Sequence, residues 1–456
     1  MTQLDSLVSA FANLMWGPFL LFLLVGGGLY FTFYCRFTPF RYFQHGLDIL
    51  LGKFDREDDP GDINHFQALS SALAGTVGMG NISGVAVAIH TGGPGALFWM
   101  WVSAMVGMST KFFTCTLSIL FRGEDDQGQL QGGPMYVIQE GLGKKFKPLA
   151  ILFSSAGIIG CLPMFQANQL TQFVRESILI PSGLFPSNIH AGNLVIGIFV
   201  AILVSMVILG GIKRIGLIAG KLVPFMVSLY LLAGLTIVIK NITELSYVVR
   251  LIFHDAFTGD AVMGGVVGEV IRQGIRRAVF SNEAGLGTEA LAHGAAKTTE
   301  PIREGLVAML GPFIDTILVC SITAIIIIVS GAWTTDLNGV SMTAQAFSTE
   351  LGVAGTIVLS ICVITFSITT MFGQSYYGAK CTGFLFGTER KMYYNYFYIS
   401  STIIGAIVSI SFVINLIDGM YAVMAIPTMT SAILLSPKVM TEARRYFADL
   451  NPSAKK

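Results

Sequence analysis

The chain has 456 residues and a formal net charge of +1; 53% of the residues are hydrophobic, only 12% are charged, and the mean hydropathy is +0.69. Soluble proteins carry about twice that charged fraction, so the composition excludes a soluble domain and predicts an all-α, multi-pass membrane protein surrounded by lipid. The balanced charge, without a polybasic tract, gives no indication of a nucleic-acid partner.

Apolar runs of membrane-spanning length recur along the whole chain. A helix needs about 20 residues to cross the hydrocarbon core, and about eleven runs approach or exceed that length. They lie at 13–35, 67–90, 95–121, 148–176, 192–210, 216–239, 262–296, 306–330, 354–379, 393–413 and 419–436. Residues 414–418 alone separate the last two. The six cysteines are scattered and mostly lie inside these runs, so we expect buried thiols rather than disulfides or a metal site.

Lysine and arginine predict the orientation. If residues 36–66 are cytoplasmic, that side collects most of the loop cations, and the other side keeps only Arg175, Lys240 and Arg250. Cytoplasmic loops are enriched in these residues, which predicts an outer N-terminus and a cytoplasmic C-terminus in the cell membrane. Residues 40–54 are typical of a helix on the inner membrane surface, and 242–257 and 335–351 of outer caps. A solvated loop is the alternative for each.

The second run contains three glycines where a helix should continue, Gly75, Gly78 and Gly80. Each glycine costs a helix about 1 kcal/mol relative to alanine, and lipid offers no partner to a freed backbone group. We therefore predict a helix broken at the membrane midplane. Its exposed N–H groups suit a carboxylate, and its exposed carbonyls suit Na⁺ or an ammonium group. The alternative is a glycine face for close helix packing.

The seventh run has a similar interruption over residues 278–288, AVFSNEAGLGT, with Ser281, Asn282 and Glu283 before a G-x-G pair. Polar groups at this depth are costly unless they have partners. The second interruption comes five runs after the first, counting from the second run to the seventh, and because this number is odd the two halves must insert with opposite topology. Interrupted helices in corresponding positions of two halves indicate an inverted-repeat transporter with its site between the breaks.

Other polar groups inside the spans are candidates for binding or for packing. The carbonyl of Phe366 and the hydroxyls of Thr369 and Thr370 share one helical face and suit Na⁺, unless both threonines bond their own i−4 carbonyls. Glu269, Arg272 and Arg276 lie near one face, with Arg277 beside them, and predict an internal ion pair and an outer gate charge. For Asp315 we favour a structural pair with a neighbouring helix, with a proton relay as the alternative.

Four motifs carry a family resemblance: GGPGALFWMW at 92–101, GMGN at 78–81, GGPMY at 132–136 and SYYG at 375–378. They resemble the alanine/glycine:cation (sodium:alanine) symporter family over essentially the whole chain. The resemblance implies a LeuT-like, five-plus-five inverted repeat with one extra N-terminal helix. Residues 1–66 would form a peripheral first helix and an interfacial helix, 67–240 the first repeat, and 241–456 the second repeat with a short cytoplasmic tail.

The resemblance also implies site residues. The N–H groups of Met79 and Gly80 would hold a substrate carboxylate. Thr76 and Asn81 match one sodium site, and the Ala74 and Val77 carbonyls match a second, whose partners would be Phe366, Thr369 and Thr370. The remaining substrate-facing positions are Thr76, Gly78, Gln166, Asn168, Phe280, Ser281, Leu286, Thr370 and Gln374, and Ser281 would also face the first sodium.

Two of these positions leave alternatives open. Gln166 and Asn168 suit polar contacts to the substrate, with hydrogen bonding between helices as the alternative. Gln374 departs from the family pattern, in which tryptophan is usual, and a glutamine there would favour a larger polar amino acid such as glutamine or serine over strict alanine or glycine selectivity.

The sequence as a whole predicts a sodium-coupled symporter that imports a small neutral amino acid by alternating access, with Na⁺ as co-transported ion and no organic cofactor. A channel is the main alternative, since glycines and polar groups also build filters. An enzyme would need a His/Cys/carboxylate cluster on facing helices, which the sequence does not indicate. It does not indicate an oligomeric state.

Overall fold

The computed structural model describes residues 3–56, 58–183, 189–258 and 267–450, and these are almost entirely helical. The long helices are Gln3–Met15 with Pro18–Tyr34, His65–Thr76 with Gly80–Gly92, Ala96–Leu120, Lys144–Leu179, Ile189–Ile208, Gly211–Lys240, Val267–Asn282 with Thr288–His293, Pro301–Val329, Val340–Phe386, Lys391–Ile407 and Ile410–Leu450. Shorter helices are Thr38–Arg41, Phe43–Leu50, Pro134–Tyr136 continued by Val137–Leu142, and Leu245–Thr258; the strands Gly123–Glu124 and Leu130–Gln131 pair antiparallel.

Fewer of these helices meet a length-and-hydropathy test for membrane spans than the sequence led us to expect. In the described part of the chain seven qualify, or up to nine if the two bent pairs at 3–34 and 65–92 each count as one span. The 17-residue helix Lys391–Ile407 and the interrupted 267–293 segment fall outside that count. Residues 262–266 of the expected seventh span lie outside the described residues. The eleven-span count and the repeat boundaries stay predictions.

The expected boundary between the last two spans, at 414–418, is wrong. The chain leaves helical geometry at Val408, with φ −75° and ψ 165°, and a helix resumes at Ile410. Asp418 therefore lies inside a helix, with none of its side chain exposed. Aspartate favours loops and helix ends by propensity. Here Arg276 and Arg277 of another helix form ion pairs with the buried Asp418 carboxylate and compensate its charge.

The three segments for which a solvated loop was the alternative, 40–54, 242–257 and 335–351, are largely helical. Residues 40–54 contain Phe43–Leu50, and the 335–351 segment begins the helix Val340–Phe386, which is kinked at Gly352. Leu245–Thr258 packs on the GGPG motif: the Gly95 amide donates to Asp255 at 2.7 Å, and a Cβ on Gly95 would lie 2.3 Å from the Ala256 nitrogen. The motif glycine therefore serves close packing. All six cysteines are free and buried, as predicted.

Candidate functional site

The first predicted break is confirmed. The helix His65–Thr76 ends at Val77, which is extended (φ −74°, ψ 96°), and helical structure resumes at Gly80 after a bend of 52°. Asn81 stabilises the gap with two hydrogen bonds. Its side-chain Oδ1 accepts from the Gly78 backbone N–H at 2.8 Å, and its backbone N–H donates to the Gly78 carbonyl at 3.1 Å. The Gly78 N–H is thus already engaged. The first turn after the gap supplies the N–H groups that have no intrahelical partner.

The second predicted break is confirmed as well. The helix Val267–Asn282 ends, three residues take positive φ (Glu283 +57°, Gly285 +86°, Gly287 +90°), and Thr288–His293 follows. Positive φ is strained for a residue with a Cβ, so Glu283 needs support. Its carboxylate accepts hydrogen bonds from Thr288 and, at 3.4 Å, from the Tyr421 hydroxyl. The sequence alone did not assign Glu283 to the site.

The two breaks touch each other. A Cβ on Gly80 would lie 3.3 Å from the Ser281 Cα and 3.6 Å from the Phe280 ring. Phe280 also packs edge-on against Phe165, with ring centroids 4.9 Å apart. Four of the predicted residues, Met79, Gly80, Phe280 and Ser281, are therefore brought to one buried region, although about 200 residues separate the two breaks in sequence.

Asp315 connects the two breaks, and sequence reasoning missed it as a site residue. Its Oδ1 accepts from the Asn81 amide at 2.7 Å, and its Oδ2 accepts from the Ser281 hydroxyl at 2.9 Å and the Thr316 hydroxyl at 2.7 Å. The carboxylate is completely buried. A lone aspartate in an apolar span was the available signal, but its two partners lie 234 and 34 residues away in sequence.

The predicted oxygen cluster on helix Val340–Phe386 faces the first break. The Thr370 hydroxyl lies 3.5 Å from the Val77 carbonyl oxygen and 2.9 Å from that of Phe366. The Thr369 hydroxyl lies 3.1 Å from the same Phe366 oxygen. Both hydroxyls also donate to their i−4 carbonyls, as the packing alternative predicted.

Glycines bring these two helices into contact. A Cβ on Gly78 would lie 2.1 Å from the Thr370 hydroxyl oxygen. A Cβ on Gly373 would lie 3.3 Å from the carbonyl carbon of Ala74, and one on Gly75 would lie 2.9 Å from the Tyr377 hydroxyl. Thr76 donates its hydroxyl to the Ala72 carbonyl, one turn back. The backbone carbonyls at the end of the first half-helix are therefore held against Thr370 and its neighbours.

The polar residues Gln166, Asn168 and Gln169 lie on one helix but have different partners. Asn168 donates to the carbonyls of Gly405 and Val408, at 3.0 and 2.8 Å, which is the inter-helix bonding given above as the alternative. Gln169 accepts from Ser83 and from the Val340 amide. Gln166 differs, since its buried Oε1 has no hydrogen-bond partner among the described residues. Gln166 thus keeps a free polar atom, whereas the Asn168 amide is used in packing.

Gln374 belongs to a polar chain that reaches the second break. Its Nε2 donates to the Tyr421 hydroxyl at 3.1 Å, and Tyr421 in turn donates to Glu283. The Gln374 Oε1 is buried and has no partner among the described residues. Tyr421 also lies beside Phe280, with ring centroids 5.8 Å apart. Leu286 is fully buried, and its carbonyl accepts from Thr428 at 2.9 Å.

Comparison with known proteins decides the family. The profile of the sodium:alanine symporter family matches residues 1–456. The chain belongs to the sodium:alanine symporter family. It is 40% identical over 450 residues to the sodium/alanine symporter AgcS of Methanococcus maripaludis, covering 97% of each chain. It is 32% identical over 449 residues to the probable sodium/glutamine symporter GlnT of Bacillus subtilis, covering 97% of this chain and 91% of that one.

The fold agrees with that of solved transporters. The structure of MhsT in complex with L-phenylalanine has a TM-score of 0.57 at 11% identity and covers 84% of this chain and 99% of that one. The manganese transporter of Eremococcus coleocola has a TM-score of 0.51, also at 11% identity, and covers 85% and 82%. This member of the sodium:alanine symporter family therefore has the LeuT-like fold that its motifs implied. It is a sodium-coupled amino-acid symporter and not an enzyme.

Proposed function

We propose that this symporter imports a small neutral amino acid together with Na⁺ by alternating access, in a membrane where residues 36–66 face the cytoplasm. The observation that carries the proposal is the direct contact between the two breaks, Gly80 against Ser281 and Phe280. A solute held there touches one half-helix from each half of the chain. Movement of the halves relative to each other would change which side of the membrane reaches it.

The substrate carboxylate is held by the N–H groups of Met79 and Gly80, at the start of the second half-helix. The Cβ position of Gly80 is within 3.6 Å of the Phe280 ring and the Ser281 Oγ, so a side chain larger than hydrogen would fill the space the carboxylate needs. A helix N-terminus favours an anion by about 0.3–1 kcal/mol or more. Phe280 then covers the substrate on the side of Phe165.

Sodium occupies two places in this proposal. One lies between Asn81, Ser281 and the Thr76 carbonyl, and the buried Asp315 carboxylate supplies the negative charge that compensates the cation. The other lies among the carbonyls of Ala74, Val77 and Phe366 and the hydroxyls of Thr369 and Thr370. Hard oxygen ligands suit a small alkali cation, and breaking the helix is what frees the carbonyls.

The substrate side chain points towards Gln374, Tyr421 and Gln166. The amides of Gln374 and Gln166 each have a buried oxygen with no partner in the part of the chain that the structure describes, and a buried unmade hydrogen bond costs about 1–3 kcal/mol. A substrate that offers a hydroxyl or carboxamide would satisfy one of them. Serine or glutamine is therefore accepted beside alanine and glycine.

A thermal-stability panel tests the proposal. Purified protein is melted with each of the common amino acids, in NaCl and in KCl of equal concentration. A ligand at 100 times its dissociation constant stabilises the folded state by about 2.7 kcal/mol. We expect alanine, serine or glutamine to raise the melting temperature in NaCl only. Stabilisation that is equal in KCl, or by no amino acid, contradicts sodium-coupled binding. Saturable uptake into proteoliposomes at low turnover then separates a carrier from a channel.

A further inference from the structure

The extra N-terminal helix is less peripheral than its place in the chain suggests. It bends by 46° between Gln3–Met15 and Pro18–Tyr34, and the residue at the bend, Trp16, is completely buried. Its neighbours Leu14, Phe19 and Phe22 are each more than two-thirds exposed, as lipid-facing side chains would be. The bend therefore turns one large side chain inward from a helix that otherwise faces lipid.

Trp16 reaches the backbone of helix Ile410–Leu450. Its indole N–H donates to the Asp418 carbonyl at 2.9 Å, and its ring lies 5.9 Å from the Arg276 guanidinium carbon. The next residue, Gly419, permits the approach, because a Cβ there would lie 2.6 Å from the Phe11 ring. Trp16 thus contacts both partners of one ion pair, Arg276 and Asp418.

That ion pair is part of a buried cluster. The Asp418 Oδ2 accepts from the Arg276 Nε at 2.8 Å and also from Arg277. Both arginines lie on Val267–Asn282, the half of the second broken helix that precedes its break, and both are at least 95% buried. Two guanidinium groups share one carboxylate here, and the Asp418 Oδ1 and the Arg277 Nε and Nη1 lack partners among the described residues. Such a network depends strongly on the placement of Asp418.

The cluster lies directly beside the candidate site. The Arg277 guanidinium lies over the Phe280 ring, 4.9 Å from its centroid, and Phe280 packs against Gly80. Towards the other end of the same helix, Arg272 and Glu269 form an ion pair whose side chains are 29% and 30% exposed. Along this helix the cluster and Phe280 therefore lie between the Arg272–Glu269 pair, on the predicted outer side, and the second break. In the proposed transport cycle they form the outer barrier that opens to admit a substrate.

We propose that Trp16 is a positioning residue for this outer barrier: by bonding the Asp418 carbonyl it fixes the carboxylate where both arginines reach it, and so stabilises the outward-closed state. The extra N-terminal helix thereby stabilises the closed form of the barrier. The proposal rests on the alternating-access function proposed above. The two contacts described for Trp16, with Asp418 and Arg276, lie outside both breaks, so its effect on transport passes through these residues.

The test replaces Trp16 by phenylalanine, which keeps an aromatic ring and removes the N–H donor. The reporter is a single cysteine at Asn415, half-buried beside Arg276 on the same helix as Asp418, in a chain whose six native cysteines are replaced. A charged, membrane-impermeant thiol reagent labels it from outside. We expect Trp16→Phe to raise the labelling rate about fivefold, as the loss of one hydrogen bond would. We expect the maximal rate of alanine uptake to fall. The alanine concentration that gives half of the maximal rise in melting temperature should stay unchanged.

The matched control is Phe31→Leu, on the same N-terminal segment. Phe31 is fully buried and stacks on Phe113, 4.5 Å away, far along the helix from Trp16. We expect it to lower the melting temperature without changing the labelling rate. If Trp16→Phe behaves like this control, or labels at the wild-type rate with wild-type uptake, the positioning role is wrong. A parent protein that shows no sodium-dependent uptake would instead overturn the proposed function.

Discussion

The side-chain amide of Asn81 donates to both the carboxylate and the backbone carbonyl of Asp315, at 2.7 and 3.0 Å, and so joins the first break to the helix Pro301–Val329. The same carboxylate accepts from Ser281 at the second break. One buried negative charge therefore lies where both halves of the chain meet. In the proposed sodium site, the sodium dependence of transport would therefore involve a residue outside the two broken helices.

Replacing Asp315 by asparagine should raise the Na⁺ concentration for half-maximal uptake by about tenfold or more, because a charge–charge interaction becomes a charge–dipole interaction. Asparagine retains the shape and can still accept from Asn81 or Ser281, so folded protein is expected. Sodium-titrated alanine uptake measures the effect. The control is Glu442→Gln, which removes a partly exposed carboxylate paired with Arg445 near the end of the helix Ile410–Leu450; its sodium curve should match that of the parent. An unchanged curve for Asp315→Asn would remove this residue from the cation site.

Thr370 should matter more for sodium than Thr369. Only the Thr370 hydroxyl approaches the first break, 3.5 Å from the Val77 carbonyl, whereas that of Thr369 contacts the Met226 sulfur at 3.4 Å. We expect Thr370→Ala to shift the sodium curve several-fold, Thr369→Ala to shift it less, and the double variant to shift it most. Thr365→Ala is the matched control, since Thr365 is half-buried on the same helix and its hydroxyl donates to the carbonyls of Ile361 and Cys362 in that helix. Equal curves for the Thr370 and Thr365 variants would contradict the second sodium position.

Gly80→Val should abolish amino-acid binding and leave the protein folded. The first added carbon would already lie 3.3 Å from the Ser281 Cα, and two further methyl groups would occupy the carboxylate position. The measurement is the shift of melting temperature by alanine in NaCl. Gly220→Ala is the control, because its added carbon meets only the Phe66 ring at 3.8 Å and alanine favours the helix by about 1 kcal/mol. Normal alanine affinity in Gly80→Val would disprove the proposal that the N–H groups of Met79 and Gly80 bind the substrate carboxylate.

Gln374→Trp should narrow the range of substrates. The indole would displace the amide that bonds Tyr421 and would remove its unpartnered oxygen. We expect uptake of serine and glutamine to fall relative to alanine and glycine by about tenfold, the worth of roughly one hydrogen bond to a buried group. Competition of each amino acid against labelled alanine measures the ratio. Gln345→Trp, at an exposed glutamine, should leave the ratio as it is. An unaltered ratio in Gln374→Trp would show that this residue does not select the substrate.

Local chemistry made much of the protein predictable. Glycines at 78, 80, 285 and 287 indicated both breaks, because a glycine weakens a helix and lipid offers freed backbone groups no partner. The spacing of Phe366, Thr369 and Thr370 put three oxygens on one helical face, and the structure turns that face to Val77. These inferences needed only neighbours a few residues apart.

The positions that sequence left open or misplaced depend on distant partners. For Asn168 both a substrate contact and inter-helix bonding were open, and its side-chain amide donates to the carbonyls of residues 405 and 408. Asp418 looked like a loop residue, yet it is buried in a helix because Arg276 and Arg277 neutralise it. A side chain's sequence neighbours do not reveal which charge or carbonyl the fold brings within 3 Å.

The sequence by itself determined the membrane class, the family motifs and the two places where helices come apart, since each follows from hydropathy, backbone propensity or short spacing. Only the tertiary structure decided that Gly80 rests on Ser281, that Asp315 joins both breaks and that Trp16 bonds Asp418 across 402 residues. Those contacts arise from the packing of whole helices, whose relative placement is fixed by many weak interactions summed over the buried surface rather than by any local pattern.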